Sequence, residues 1–318
     1  MINPLYPFGP SCASSLTVAL VLLFGGCDRP SASSSLERSA SSFSEGGLAP
    51  GRAQGDPCGA WECRQYDTPA DAFRVAIGRA PLVIGIGEAH APRSARVPSA
   101  AKRFTEELLP VLRGRASDLL VELMQPPAGC EDASANVRAR QTLITSQQAV
   151  DSQSDYVLLG ARARSDGIIP DLLRPSCADL EAVQRAGDEA IAVSLETIAR
   201  LSIVQAERLV DRARRSASDQ GKAVVLYGGA LHNDLTPAPE RARWSYGPSL
   251  DGYVGGRFVA VDLIVPEFIG DDEAWRSLVW WAWWSSQDRA PLGARATLLH
   301  VGERSHVLIF PRTKAAAP

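Results

Sequence analysis

Two short segments of this sequence share a shape that suits chemistry. Gly87-Glu88-Ala89-His90 follows the apolar run LVIGI, and Gly229-Ala230-Leu231-His232 follows AVVLYG. Each sets an imidazole three residues beyond a glycine. Glycine lets the backbone turn sharply at the end of a strand, so that the histidine projects over the sheet rim. Glu122, inside LLVELM, stands at or near the end of a third apolar run. The chain holds four histidines, at 90, 232, 300 and 306. Half of them therefore fall in the two matching motifs. Imidazole and carboxylate groups brought together can act as general acid and base, or hold a divalent ion that activates water.

Strands and helices must bring these groups to one place. LVIGIG, DLLVELM, KAVVLYGG and RFVAVDLIV are nearly continuous apolar runs, the pattern of strands buried on both faces. SHVLIF reads as a last strand, at an edge. Between the first two runs, Ser99 opens a helix with Phe104, Leu108 and Leu112 on one face. That is a βαβ unit with parallel strands. Thr68-Pro69 starts an earlier helix, with Thr as N-cap and Pro at the first position. The expected fold is α/β, a mostly parallel central sheet flanked by helices, with a helical insertion at about 131–219. In such a sheet, ligands bind outside the carboxyl ends of the strands. Glu88, His90, Glu122 and His232 are expected to converge there as catalytic residues, as metal ligands, or both.

Other chemistries lack their motifs. There is no GxSxG elbow, HExxH pair or GxxxxGK[ST] phosphate loop. Gly85-Ile86-Gly87 imitates the start of a dinucleotide fingerprint, but its third glycine position is His90. His300 and His306 read as ordinary surface or edge residues. A net charge of −3 gives no drive toward nucleic acid.

The GExH motif, the glutamate ending the second strand and the late GxxH followed by Asn233 resemble the EreA/ChaN-like and TraB/Tiki superfamily. The stretches 82–124 and 222–265 carry the resemblance. It implies a site made of Glu88, His90, Glu122 and His232, joined by Arg93 or Arg96. Its erythromycin-esterase-type members hydrolyse a macrolactone, Tiki-type members are metal-dependent proteases, and ChaN-type members are haem-binding lipoproteins. Two readings follow. One is a hydrolase acting on a small-molecule or peptide substrate, using acid–base chemistry or a divalent metal ion. The other is a lipoprotein that holds haem or iron without turnover, with a histidine or Tyr227 as axial ligand. The tract WRSLVWWAWWSS reads either as an aromatic platform, for a ligand such as a porphyrin or for the lipid interface, or as a helix packed on the sheet.

The start of the chain gives an address. Residues 1–26 carry no charge, and LTVALVLLF is followed by Gly25, Gly26 and Cys27. That is too short for a comfortable membrane span and reads as a signal peptide with a lipid-bearing cysteine, Cys27. Residues 27–57 are dense in Ser, Gly, Ala and Pro and read as a disordered tether, reaching about 30 Å. A single domain at 58–318 would then sit in the bacterial cell envelope, on a membrane through its anchor. Cysteines 58, 63, 130 and 177 remain for disulfides. Pairs Cys58–Cys63 and Cys130–Cys177 are expected in an oxidising compartment.

Overall fold

The structure, a computed structural model, describes residues 57–58, 61–137, 148–149, 152–286 and 293–313. The expected leader, Cys27 and nearly all of the tether lie outside the described residues. Among the described residues nine strands form one sheet in the order β1-β2-β8-β9-β7-β3-β6-β4-β5. Its parallel body is β9 (Ser305–Ile309), β7 (Phe258–Ile264), β3 (Val83–Glu88), β6 (Ala223–Gly229), β4 (Ala116–Met124) and β5 (Ile169–Leu173). An antiparallel flank continues it through β8 (Ala296–His300), β2 (Trp61–Tyr66) and β1 (Pro57–Cys58). The sheet is thus mixed rather than parallel throughout.

Two expectations are corrected. The stretch 131–219 is not a helical insertion, because β5 lies within it and pairs with β4. Its helices α3 (Ser152–Ser165), α4 (Cys177–Arg185) and α5 (Ala190–Arg215) connect sheet strands. SHVLIF, now β9, is an inner strand, since β8 adds beyond it. His306 on that strand is buried, not a surface residue.

The first helix, α1 (Pro69–Ile77), begins as its sequence dictates. The Thr68 side chain accepts from the Asp71 amide, and Pro69 occupies the first turn, where no donor is needed. The second, α2 (Ala100–Arg103), starts at Ser99, whose hydroxyl accepts from the Lys102 amide. It widens into a π turn at Phe104–Leu108 and tightens to a 3-10 turn at Leu109–Leu112. Pro110 has no N–H for the helical ladder, which accounts for the change of pitch there. Phe104, Leu108 and Leu112 are all buried, so the one-sided pattern survives the irregularity.

Alternation along the strands separates two cores. Ile84 and Ile86 join Val225, Tyr227, Leu119 and Val121 in one core; Val83, Leu120, Val224 and Leu226 lie in the other, beneath α5. At about 25 cal/mol per Å² of apolar surface removed from water, these layers supply most of the drive for folding. The Trp tract is divided between α6 (Glu273–Arg276) and α7 (Trp281–Ser286). Trp275, Trp280 and Trp284 are buried in the first core. They act there as packing residues, with Trp275 and Trp280 edge to face at 6.2 Å.

Cys130 and Cys177 are joined by a disulfide. It ties the chain after β4 to the first residue of α4. Cys63 is also disulfide-bonded. The side chain of Cys58, its expected partner, lies outside the described residues. Among the described residues no helix is long and apolar enough to cross a membrane.

Candidate functional site

The rim of the sheet at its carboxyl end gathers all four expected residues, because β6 inserts between β3 and β4. Gly87 pairs with Gly228, and Glu88 with Gly229. On the other side Val121 pairs with Tyr227, so Glu122 arrives one residue further up beside Gly228. A β-carbon on Gly228 would collide with the Glu122 carboxylate and with its Cβ. The glycine is therefore what lets this glutamate lie across the strand end. Glu122 Oε2 accepts from the Gly229 amide at 2.8 Å.

Glu88 closes β3 and is 5% exposed. A buried carboxylate is costly unless its oxygens are hydrogen-bonded. Here both are. The Tyr156 hydroxyl donates to Oε1 at 2.8 Å and the Tyr227 hydroxyl to Oε2 at 2.5 Å. His90 Nδ1 stands 2.8 Å from Oε1. A carboxylate only accepts, so Nδ1 carries its proton toward Glu88 and Nε2 is left with the lone pair. Burial works against the charged imidazole, but the Glu88 hydrogen bond and charge outweigh it and raise the His90 pKa. The side chain keeps 31% exposure, so Nε2 has an outlet to a ligand. Burial, then the Glu88 charge, holds the Tyr156 and Tyr227 hydroxyls well above the ordinary phenol value. They remain donors.

His232 ends the 3-10 turn Ala230–His232 that follows β6. It is 2% exposed. Its Nδ1 donates to the Trp244 carbonyl at 2.6 Å, so its Nε2 also faces away from that bond. Nε2 lies 3.7 Å from Glu122 Oε1. The turn is fastened from behind. Ser245 Oγ donates to the carbonyls of His232 and Asp234, and the Tyr246 amide to the His232 carbonyl. The four side chains thus form two pairs, Glu88 with His90 and Glu122 with His232. A β-carbon placed on Gly229 would have His90 Nε2 at 3.7 Å, and Glu122 Oε2 and His232 Cδ2 at 3.9 Å. No two of those atoms can be farther apart than twice 3.9 Å.

Two participants, Tyr156 and Asp262, escaped the sequence reading. Tyr156 comes from α3 and carries no motif. Tyr227 is one position inside a buried strand, and only its polarity within AVVLYG marked it. Asp262 on β7 pairs with Gly87. Its Oδ1 accepts from Asn233 Nδ2 at 3.1 Å, and the same amide donates to the Gly85 carbonyl at 3.2 Å. Burial pushes the Asp262 pKa up to about 7, against the lowering effect of the Asn233 bond. The charged position inside FVAVDLI was the signal for it. Of the two expected arginines, Arg96 donates to the neighbouring Ala95 carbonyl at 3.4 Å.

Among the described residues no three His, Cys, Asp or Glu side chains are grouped to hold a metal ion. Both Glu88 oxygens, His90 Nδ1 and His232 Nδ1 are already committed to protein hydrogen bonds. What the arrangement can do without an ion is hold a water on His90 Nε2 and exchange protons with it.

No family model matches the chain, and no curated protein does. One solved structure with which it aligns is that of the type III effector HopBA1. The identity is 14% and the TM-score 0.37, over 78% of this chain and 94% of that one.

Proposed function

We propose that this protein is a hydrolase of ester or peptide bonds that works by acid–base catalysis at the carboxyl rim of the sheet. The observation that carries the reading is the Glu88–His90 pair, 2.8 Å apart, with the carboxylate braced by two tyrosines. Glu88 fixes the tautomer and orientation of His90 and stabilises its protonated form. His90 Nε2 takes a proton from water as the water oxygen bonds to the substrate carbonyl carbon. The tetrahedral intermediate then collapses, and the bond to the leaving oxygen or nitrogen breaks. His90 Nε2 returns that proton to the leaving group, which restores its neutral form, and His232 Nε2, 3.7 Å from Glu122 Oε1, faces the same rim beside the reacting carbonyl. The products are an acid and an alcohol or amine. The resemblance of GExH…E…GxxH to the esterase branch agrees with this chemistry. The burial of Trp275, Trp280 and Trp284 removes much of the aromatic wall a haem pocket would use.

Purified protein assayed on a panel of activated esters and peptides, with metal chelator present and absent, tests the reading. His90→Ala should lower turnover about 10²–10⁴-fold, the usual contribution of a positioned acid or base, with unchanged circular dichroism. Equal turnover by His90→Ala and the parent would end it. We further propose that Cys27 bears a lipid and tethers the domain to the cell envelope, on the strength of the apolar run before Gly25-Gly26-Cys27. Cys27→Ser should move the protein out of the membrane fraction or leave its leader uncleaved; normal processing and retention would oppose the anchor.

A further inference from the structure

The opposite rim of the sheet carries a second concavity, unrelated to the His/Glu cluster. It encloses about 300 Å³ where β3, β4 and β6 begin, between the turns at Gly114 and Gly221. Arg79, Arg115, Lys222 and Gln220 supply its polar lining, and no Asp or Glu lines it. A volume of that size is at the lower end for small-molecule sites.

We propose that this concavity binds a small oxyanion of the phosphate type through Arg115 and Lys222, with Arg79 beside them. Arg115 donates through Nη2 to the Gly78 carbonyl, which holds the guanidinium at the rim. That bond leaves other N–H groups of the planar fork for a ligand. Burial, and then the charge of Arg74, act on Arg115, and both disfavour its charge. An arriving dianion would relieve both effects. Lys222 is held in place by Asp219 at 3.0 Å. Asp219 does not line the cavity, so the lining itself keeps three cations and no anion. Guanidinium and ammonium groups converging on an acid-free pocket match the charge and oxygen geometry of phosphate. From Ala223 to Gly229 the strand rises roughly 20 Å at 3.3 Å per residue, so this site does not share atoms with the catalytic cleft.

Calorimetric titration of the full chain with inorganic phosphate, at constant ionic strength set by chloride, tests the assignment. Saturable one-site binding is expected. Arg115→Gln and Lys222→Gln should each raise Kd about tenfold, the loss of one charge-assisted hydrogen bond. His90→Ala should leave Kd unchanged. A second titration uses glycerol phosphate. Tighter binding of the ester than of phosphate assigns the site to a phosphorylated metabolite or lipid headgroup; the reverse assigns it to the free ion. Melting curves with phosphate guard against a misfolded variant, since the parent Tm should rise and that of a folded Arg115→Gln/Lys222→Gln variant should not. No saturable binding of either compound, or undiminished binding by the folded double variant, would overturn the proposal.

Discussion

Glu122 occupies the space that a side chain on Gly228 would need. The carboxylate reaches the Gly229 amide only by crossing the bare backbone of the neighbouring strand. Gly228→Ala must therefore move Glu122, and with it the partner of His232. Overpacking of this kind costs about 1–3 kcal/mol. Urea unfolding should show that loss, and ester turnover should fall alongside it. Gly252→Ala is the matched control, since a β-carbon there meets nothing within 4 Å. A Gly228→Ala protein as stable and active as the parent would show that Glu122 is free to sit elsewhere.

Asp262 and His306 titrate in opposite senses. The Asp262 pKa is raised by burial to about 7. A raised folded pKa means stability fully present below the unfolded value and lost as pH climbs through 7. His306 is lowered to about 4, by burial and then by His300, against which it packs edge to face at 4.8 Å. Its Nδ1 is buried with no hydrogen-bond partner. A lowered folded pKa means stability present above the unfolded value and lost as pH falls through 4. Between about pH 4 and 6.5 the two slopes oppose each other, each near 1.4 kcal/mol per unit. Asp262→Asn keeps an acceptor for Asn233 and should expose the histidine slope, gaining on the order of 1–4 kcal/mol over the parent at pH 8. Urea midpoints from pH 4 to 8 measure this. Parallel curves for Asp262→Asn and the parent would show that Asp262 ionises normally.

The Cys130–Cys177 disulfide closes a separation of 47 residues. In the chain-entropy account a loop of that size contributes about 4 kcal/mol. The double Cys→Ser variant should lose most of that in urea unfolding. It should also free the segment after β4, seen as faster amide exchange in α4. Unchanged stability would mean that the segment is already confined by packing, around Leu180 and Val183.

How far the fold could be read depended on how each strand is buried. β3 and β6 are covered on both faces almost throughout, and their apolar runs were plain. β5 escaped because only Asp171 and Leu173 of its five residues are buried, Pro170 interrupts it, and helix-like sequence surrounds it. β9 was recognised as a strand but not as an inner one. Its outer neighbour β8 follows a tract dominated by tryptophans, and β2 comes from far earlier in the chain. The site was legible where a motif ended a strand, as at Glu88, His90 and His232. It was not legible where a partner is supplied by a helix, as with Tyr156, or by a carbonyl, as with Trp244, because backbone atoms leave no mark in composition.

The insertion of β6 between β3 and β4 also makes the site and the closure of the sheet depend on the same strand. Until β6 docks, β3 and β4 each keep a free hydrogen-bonding edge. Such edges invite pairing with other chains. Glu88 lacks the Tyr227 hydroxyl during that interval, and Glu122 lacks the Gly229 amide. The strand that fills the slot also delivers His232 at its tip. The geometry of the His/Glu cluster and the closed sheet interior therefore both depend on this one strand, and a chain in which it has not docked has neither.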